Sequence, residues 1–240
     1  MTSSPAPRPG ALKDSPVRKP KPKARAPAAY QSVNPSTGKV VKTFVGQTDT
    51  QLETAIKTSA ACFKSWRKTT FADRAVIVAK AAALLRSESD EFARLVTLEM
   101  GKRIDEARGE VALSADIMDY YARNAERFLA PEKLKPASGE ATVQNTPLGV
   151  LFGVQPWNFP YYQLARFAAP NLMAGNVVMV KHAGCVPQCA VAFAELWRDA
   201  GAPVGAYANL LISHDQVNRV IDDPRIRGVA LTGGLEAARR

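Results

Sequence analysis

The segment LGVLFGVQPWNFP occupies residues 148–160 and joins a run of apolar residues and glycines to an amide side chain held between two prolines. An apolar run of this kind favours a strand that is buried on both faces, as the strands of parallel sheets are. The prolines restrict the backbone around Asn158, so its side-chain NH2 can be aimed at one point. The segment therefore predicts a buried parallel strand that ends in a rigid polar turn.

Strands and helices alternate from this segment onward. The predicted helix–strand pairs lie at 161–173 and 176–180, at 188–199 and 208–212, and at 214–221 and 227–231. Such alternation is typical of a right-handed, doubly wound parallel sheet, and we assign the chain to the α/β class. The ligand of such a sheet binds beyond the carboxyl ends of its strands.

A helical segment is predicted in front of the sheet. A turn at 34–38 separates two short strands, and apolar residues then recur at helical spacing. Four helices are expected. The first runs from about Leu52, with Thr50 and Glu53 spaced as a capping box, and the second covers 71–86. The third is capped by Ser87 and ends at Gly101, and the fourth covers 104–128. A strand at 141–146 leads on into the sheet, so that residues 104–147 connect the helices to it.

Composition excludes several classes of protein. Hydrophobic residues make up 46% and charged residues 22%, as in ordinary globular proteins. We find neither an apolar stretch of membrane-spanning length nor a secretory signal, so we expect a cytoplasmic protein without membrane contact. Three cysteines and two histidines predict neither a disulfide framework nor a metal site.

The net charge of +10 is concentrated at the N-terminus. Residues 1–29 contain seven Lys and Arg residues against one Asp, together with seven of the seventeen prolines. We predict a disordered, basic, proline-rich tail there and a folded domain over 30–234. A basic tail can bind polyanions, so a nucleic-acid binder is one alternative, but such tails are usually solubilising and no specific nucleic acid is expected.

Three positions are predicted to meet at the carboxyl edge of the sheet. Asn158 follows the first strand, where its amide either stabilises a developing oxyanion or caps the next helix. Lys181 follows the second strand, where it either binds a ribose or phosphate or is simply solvated. Residues 232–234 follow the last strand, and their small side chains can bring backbone amides close to a pyrophosphate, although the chain has no G-x-G-x-x-G fingerprint.

The strings PWNFP at 156–160, AGNVVMVKHA at 174–183 and VALTG at 229–233 resemble the aldehyde dehydrogenase superfamily. The resemblance covers about residues 30–234, and around Asn158 and Lys181 it is greatest to bacterial succinate-semialdehyde dehydrogenases that use NAD or NADP. It implies that the chain is an incomplete N-terminal, cofactor-binding part of such an enzyme, with a partial Rossmann-like sheet.

The resemblance implies a role for each matching residue. Asn158 corresponds to the oxyanion-hole asparagine, whose amide holds the oxygen of the adduct formed when a cysteine attacks the aldehyde. Lys181 corresponds to the lysine that binds the adenosine ribose. The other cofactor positions that it implies are Val154, Gln155, Pro156 and Trp157 along the nicotinamide half, Ala183 and Gly184 near a 2′-phosphate, and Thr232, Gly233 and Gly234. Strictly NAD-dependent members often carry a glutamate where this chain has Gly184, so both NAD and NADP stay open.

The resemblance also implies a substrate. Arg166 falls where similar enzymes bind the substrate carboxylate, and at spacings of i, i+4 and i+8 Asn158, Tyr162 and Arg166 would share a helix face about 12 Å long. A guanidinium can hold a carboxylate by two parallel hydrogen bonds, so we expect succinate semialdehyde as the aldehyde. The alternative is an arginine on a solvated helix face.

Two catalytic groups of the family have no counterpart in the chain. The nucleophilic cysteine and general-base glutamate are expected beyond the run that residues 232–234 partly match, and Cys185 and Cys189 come too early in the order of elements. Residues 235–240 diverge from the pattern, and Gly234 replaces an expected serine. We therefore expect a truncated or frame-shifted chain that is aggregation-prone and without turnover, and the homo-oligomer of the family is doubtful for it. An inactive nucleotide-binding module or a pseudogene product is the alternative.

Overall fold

A computed structural model describes residues 29–235. The basic tail predicted at 1–29 and the divergent end at 235–240 lie outside the described residues, apart from Ala29 and Leu235. The first described elements are an antiparallel pair and four helices: β1 (Ala29–Val33), β2 (Val40–Val45), α1 (Asp49–Trp66), α2 (Phe71–Ser87), α3 (Ser89–Met100) and α4 (Ile104–Phe128). The long helix has the predicted bounds.

A short antiparallel hairpin follows α4 and is formed by β3 (Glu132–Leu134) and β4 (Ala141–Val143). The strand predicted at 141–146 is shorter than expected, and its partner β3 was not predicted. All three residues of β3 are exposed. Its side chains therefore lack the alternation of apolar and polar residues by which a strand is found in a sequence.

The predicted alternation from residue 148 onward is confirmed, with shifts of one to three residues at the element ends. Its elements are β5 (Val150–Gln155), α5 (Pro160–Met173), β6 (Val177–His182), α6 (Pro187–Asp199), β7 (Tyr207–Asn209), α7 (His214–Ile221) and β8 (Ile226–Leu231). The four strands are parallel and lie in the order β7-β6-β5-β8. The chain is thus an α/β protein with a doubly wound parallel sheet. Because the order reverses at β5, the crevice at the switch point lies beyond the ends of β5 and β8.

Both faces of the sheet centre are covered. All six residues of β6 are buried, α1 and α5 contact the central strands β5 and β6, and α6 contacts β7. Gly153 in β5 allows α5 to approach closely, since a Cβ at this position would lie 2.6 Å from Cε1 of Phe167. Helices α2 and α4 pack against the outer side of α5 and form a second layer. The core therefore runs from the sheet through α5 into the helical segment.

Strand β8 is an edge of the four described strands, and its side chains alternate between exposed and half-buried. Val229 and Leu231 are large apolar residues on its exposed face. A strand edge with exposed apolar side chains is a template for pairing with another chain, which is the physical basis of the expected aggregation.

The cap of α1 differs from the prediction. Thr48, not Thr50, is the N-cap, because its extended backbone lets its hydroxyl accept a hydrogen bond from the Gln51 amide at 3.2 Å. The Gln51 side chain in turn accepts from the Thr48 amide at 2.8 Å. Glu53 instead forms an ion pair with Arg225, next to β8. Similarly, Ser87 is the last residue of α2, and the N-cap of α3 is Glu88 without a side-chain bond.

The Thr48 cap is expected to contribute to the stability of the chain. We expect Thr48→Ala to lower the free energy of unfolding by about 1 kcal/mol, because the amide of Gln51 loses its acceptor. Thr50→Ala, two residues away, removes a hydroxyl that caps nothing and should change stability by less than about 0.5 kcal/mol. Urea denaturation of the two variants measures the difference. Equal losses would show that neither threonine caps the helix.

Candidate functional site

The sheet register brings the three predicted segments to one edge. Val154 pairs with Lys181 on one side and with Leu231 on the other. Immediately beyond, the amide of Thr232 donates to the carbonyl of Val154 at 3.0 Å. Gln155, at the end of β5, pairs with His182. The ends of β5, β6 and β8 therefore meet around Val154, beside the switch point.

Asn158 lies in the turn between β5 and α5. The helix begins at Pro160, its N-cap is Phe159, and this end has no side-chain cap. The alternative that Asn158 caps α5 is therefore wrong. Because Asn158 precedes the N-cap, the predicted helix face of three residues is also wrong, and only Tyr162 and Arg166 share it. The Asn158 side chain is exposed and makes no hydrogen bond within residues 29–235.

Two residues that sequence reasoning missed hold this turn. Lys102, just after α3, donates to the Asn158 carbonyl at 3.3 Å and forms an ion pair with Glu110 of α4. Oε1 of Glu110 accepts from the amides of Tyr161 and Tyr162 at 2.9 and 3.3 Å. The sequence could have indicated Glu110, because it is a charged residue on the apolar face of α4, next to the buried Val111.

A second buried carboxylate occupies the start of α6. Glu99 of α3 accepts from the amides of Gln188 and Cys189, each at 2.9 Å. Sequence reasoning missed this residue too, although it falls on the buried face of α3. Helix N-termini attract anions, and those of α5 and α6 are already bonded to protein carboxylates. A phosphate that binds at this edge must therefore use other donors.

Lys181 is the charged side chain of a cavity of about 300 Å³ at the same edge. The lysine is buried to 9% exposure, inside β6 rather than beyond it. Its ammonium makes a long hydrogen bond of 3.4 Å to the His182 carbonyl, lies 5.9 Å from the centroid of the Tyr30 ring, and has no carboxylate partner among the described residues. Burial lowers the pKa of this ammonium. The cavity wall consists of Tyr30, Gln31, Lys181, Gly184, Ile212, Ser213 and His214.

The cavity wall favours an anionic or hydroxyl-bearing ligand. Ser213 is the N-cap of α7, so a helix N-terminus and an ammonium both border the cavity. Gly184 is exposed, and a Cβ built there would meet only the Tyr30 ring, at 3.6 Å. Asn158 is not part of this wall. We therefore place Asn158 and Lys181 at one edge of the sheet but in separate surroundings, not in the single cleft that the sequence suggested.

The remaining predicted positions lie around this edge. Gln155 is buried, Val154 and Pro156 are half-buried, and Trp157 is exposed. Ala183 and Thr232 are half-buried, whereas Gly233 and Gly234 are exposed. Tyr162 contacts the Phe159 ring at 5.9 Å between centroids, and the exposed Arg166 lies 5.9 Å from the Tyr162 ring without an ion pair among the described residues.

None of the three thiols has the surroundings of a nucleophile. Cys62 and Cys189 are buried, and Cys185 is exposed. Burial raises the pKa of all three thiols, and nearby Glu99 raises that of Cys189 further. A reactive cysteine needs a lowered pKa and a partner base. Within residues 29–235 no cluster of His, Cys, Asp and Glu could hold a metal ion, and no helix has the length and apolar character to cross a bilayer.

Comparison with known proteins gives consistent matches. A succinate-semialdehyde dehydrogenase (NADP(+)) from Deinococcus radiodurans is 44% identical over 218 residues, covering 91% of this chain and 46% of the relative. A probable succinate-semialdehyde dehydrogenase (NADP(+)) from Synechocystis is 42% identical over 209 residues, covering 87% and 46%. The chain spans about half the length of the curated relatives it matches.

Solved structures agree with the sequence matches. The crystal structure of succinic semialdehyde dehydrogenase from Streptococcus pyogenes in complex with NADP+ has a TM-score of 0.86 and 42% identity, over 88% of this chain and 46% of that chain. Residues 23–240 match the profile of the aldehyde dehydrogenase family. Since this match takes in the whole described fold and the edge at which Asn158 and Lys181 lie, the resemblance seen in the sequence is confirmed and the chain belongs to the aldehyde dehydrogenase family.

Proposed function

We propose that this chain is the nucleotide-binding and oxyanion-binding part of an NADP-dependent succinate-semialdehyde dehydrogenase. The observation that carries the proposal is the ammonium of Lys181, which is nearly buried, has no carboxylate partner among the described residues and borders a cavity of about 300 Å³. A buried charge without a partner is costly. A ligand that brings hydroxyl or phosphate oxygens to this ammonium offsets that cost.

The surroundings of Lys181 favour NADP over NAD. The 2′-phosphate of NADP is anionic, and the cavity offers the Lys181 ammonium and the N-terminus of α7. Gly184 adds neither a carboxylate nor a side chain that would exclude the phosphate. The relatives from Deinococcus radiodurans and Synechocystis are both named for NADP(+), in line with this preference.

The residues beyond β5 and β8 complete the proposed site. Val154, Gln155, Pro156 and Trp157 line the nicotinamide half, and Ala183 lies near the adenosine end. The amide of Thr232 is bonded to Val154, so Thr232 holds the turn beside β5 while the backbone amides of Gly233 and Gly234 approach the pyrophosphate. When bound, NADP+ accepts the hydride that leaves the aldehyde carbon. The role of Asn158 is to donate its free side-chain NH2 to the aldehyde oxygen as that oxygen gains negative charge. An amide stabilises that charge without a counter-ion of its own.

Substrate selection is assigned to the first two turns of α5. Arg166 is exposed and unpaired within residues 29–235, so its guanidinium is available to a carboxylate. It lies about 9 Å along α5 from Pro160, at 1.5 Å per residue. Tyr162 lies between the arginine and the turn, where its ring can pack on the carbon chain. A short aldehyde with a carboxylate at its other end fits this separation.

The 240-residue chain is proposed to bind the nucleotide without turnover. The reaction requires a thiolate that attacks the aldehyde carbon. The three thiols are those of Cys62, Cys185 and Cys189, and burial raises the pKa of each. A purified chain that reduces NADP+ with succinate semialdehyde at ordinary enzymatic rates would contradict this part of the proposal.

Calorimetry with NADP+ and NAD+ tests the nucleotide site. We expect NADP+ to bind at least about tenfold more tightly, because one charge-assisted hydrogen bond contributes about 1.5–3 kcal/mol. Lys181→Met should remove that preference and weaken NADP+ binding about 10–100-fold. Lys133→Met, on the exposed strand β3, is the matched control and should bind as the unmodified chain does.

Two results would contradict the proposed site. Equal affinities for the two nucleotides would exclude a 2′-phosphate contact, and absence of binding to both would exclude the nucleotide function. Adenosine 2′-monophosphate and adenosine 5′-monophosphate separate the contributions further. The former should compete with NADP+ in the unmodified chain and fail to compete in Lys181→Met.

A further inference from the structure

We infer that Lys102 and Glu110 form a positioning pair that fixes the backbone of Asn158 while leaving its side chain free. The inference rests on the proposed function of Asn158, and it assigns to α4 and the α3–α4 connection a part in building the oxyanion site. Neither residue touches the reacting atoms in this assignment. Both act through the turn that carries the amide.

The pair contacts the turn at several consecutive residues. The Lys102 ammonium donates to the Asn158 carbonyl at 3.3 Å and lies 3.6 Å from the centroid of the Phe159 ring. Glu110 accepts from the Tyr161 and Tyr162 amides at 2.9 and 3.3 Å. The Asn158 side chain has no hydrogen bond within residues 29–235. The backbone from Asn158 to Tyr162 is therefore held, and the Asn158 side-chain amide is left to bind an oxygen.

Burial makes this pair rigid. The Glu110 side chain is 0% exposed and that of Lys102 is 8% exposed. The N-terminus of α5 carries a partial positive charge, which Glu110 neutralises, and Lys102 offsets the remaining charge of Glu110. Removal of either partner leaves an uncompensated buried charge, which is strongly unfavourable. The Asn158 turn is thus bonded to two side chains, Lys102 and Glu110, whose separation or exposure to solvent is energetically unfavourable.

Glu99 provides an internal comparison. It accepts hydrogen bonds from two amides at the start of α6, each at 2.9 Å, where those of Glu110 at α5 are 2.9 and 3.3 Å. No lysine pairs with Glu99 within residues 29–235, and its hydrogen bonds there go to the amides of α6 and not to the Asn158 turn, although its charge lies near the Tyr161 phenol. Glu99 therefore serves as a control: it only bonds the amides at a helix N-terminus, whereas Glu110 also fixes the Asn158 turn. The two can be distinguished by substitution.

The test compares Glu110→Gln with Glu99→Gln in the full chain labelled with 5-fluorotryptophan. Glutamine keeps an oxygen for the helix amides, but the NH2 of Gln at position 110 faces the Lys102 ammonium, so donor meets donor and the pair is lost. Trp157, next to Asn158, is 51% exposed, whereas Trp66 and Trp197 are 3% and 1% exposed. Its fluorine resonance is identified with Trp157→Phe and reports directly on the turn.

We expect Glu110→Gln to narrow the Trp157 resonance and to leave those of Trp66 and Trp197 unchanged. Hydrogen exchange at the Tyr161 and Tyr162 amides should be at least about tenfold faster, as loss of about 1.4 kcal/mol of local protection implies. Glu99→Gln should accelerate exchange at Gln188 and Cys189 and leave Trp157 as it was. Overturning results are an unchanged Trp157 signal in Glu110→Gln, or an equal change in Glu99→Gln.

A second pair of variants applies if Glu110→Gln does not fold. Lys102→Arg keeps a cation that donates to both partners and should retain the Trp157 signal, whereas Lys102→Gln should loosen the turn. Equal signals in these two would overturn the inference. Binding of adenosine 2′-monophosphate separates this inference from the proposed function, because the Lys181 cavity does not include the turn. A chain that fails to bind adenosine 2′-monophosphate but shows the Trp157 changes retains the positioning pair and contradicts the proposed nucleotide site.

Discussion

Replacement of Phe193 by alanine is expected to lower the free energy of unfolding by about 3–5 kcal/mol. Phe193 in α6 is fully buried among three other aromatic rings. Its ring centroid lies 6.1 Å from that of Tyr161, 6.1 Å from that of Trp197 and 5.6 Å from that of Tyr207. These neighbours belong to α5, α6 and β7, so one ring joins two helices to the sheet.

The expected loss of unfolding free energy is at the high end for core substitutions because the residues around Phe193 cannot close the cavity that the missing ring leaves. Aromatic rings are rigid and have few torsions, so Tyr161 and Trp197 fill the vacated volume only if the helices move. Tyr161 is also fixed at its amide by Glu110, at 2.9 Å. A cavity that cannot collapse adds its own cost to the lost transfer free energy.

Urea or guanidinium denaturation measures this prediction, with Phe128→Ala as the control. Phe128 ends α4 and is 44% exposed. Its removal should cost less than about 1 kcal/mol, because its ring already contacts water. If the two variants lose the same stability, the aromatic group around Phe193 does not join the layers as described.

The sheet could be predicted from the sequence because its signals are local. An apolar run at 148–154 and helical spacing after it depend on neighbours within a few residues, and they gave every strand of the sheet with small errors at the ends. β3 was missed because its three residues are all exposed and carry no pattern. Thr50 was preferred to Thr48 for a similar reason. Both fit a capping motif, and only the backbone conformation decides between them.

The residues that hold the site could not be predicted in the same way. Glu110 reaches amides 51 and 52 positions away, and Glu99 reaches amides 89 and 90 positions away. A sequence shows only that each carboxylate falls on an otherwise buried face. Which donor it meets depends on how α3 and α4 cross α5 and α6. Similarly, the sequence places both Asn158 and Lys181 at the ends of strands, and this alone does not show that they have separate surroundings.

The two glutamates also explain the missing glycine fingerprint. In many doubly wound sheets a glycine-rich turn lets a pyrophosphate reach the N-terminus of the first helix. Here the first two helices of the sheet are bonded at that end to Glu110 and Glu99. The chain between β5 and α5 is then free to carry an amide between prolines. At this edge an internal carboxylate thus occupies the helix N-terminus at which a glycine-rich turn would bind a phosphate, and the β5–α5 turn presents an amide.

The buried ring of His182 makes the free energy of unfolding depend strongly on pH. The ring is buried at 3% exposure, and its Nδ1 donates to the Gln155 carbonyl at 3.2 Å. Nε2 has no hydrogen-bond partner in the part of the chain that the structure describes. Burial and, to a smaller extent, the neighbouring Lys181 ammonium lower the pKa of His182 to about 4, against the raising effect of the backbone hydrogen-bonding groups of Gln155 and Pro160.

The sign follows from which state binds the proton. Unfolded His182 titrates near its ordinary pKa of about 6.5, whereas the folded residue titrates near pH 4. Between these values only the unfolded state takes up the proton, so acid favours unfolding. The stabilisation is complete above about pH 6.5 and is lost as the pH falls toward 4. A difference of this size corresponds to about 3 kcal/mol, with no further loss from this residue below pH 4.

Urea denaturation at a series of pH values from 7.5 to about 4 tests the pH dependence, with His182→Gln as the variant that cannot titrate. Carboxylates contribute their own loss near the acid end, and they do so in both chains. The difference between the curves therefore isolates His182 and should reach about 3 kcal/mol at pH 4. His214→Gln, at an exposed position that begins α7, should keep the full acid loss. Parallel curves for the unmodified chain and His182→Gln would show that the ring takes up its proton equally well in both states, which would place it in contact with water and not in a buried position at the end of β6.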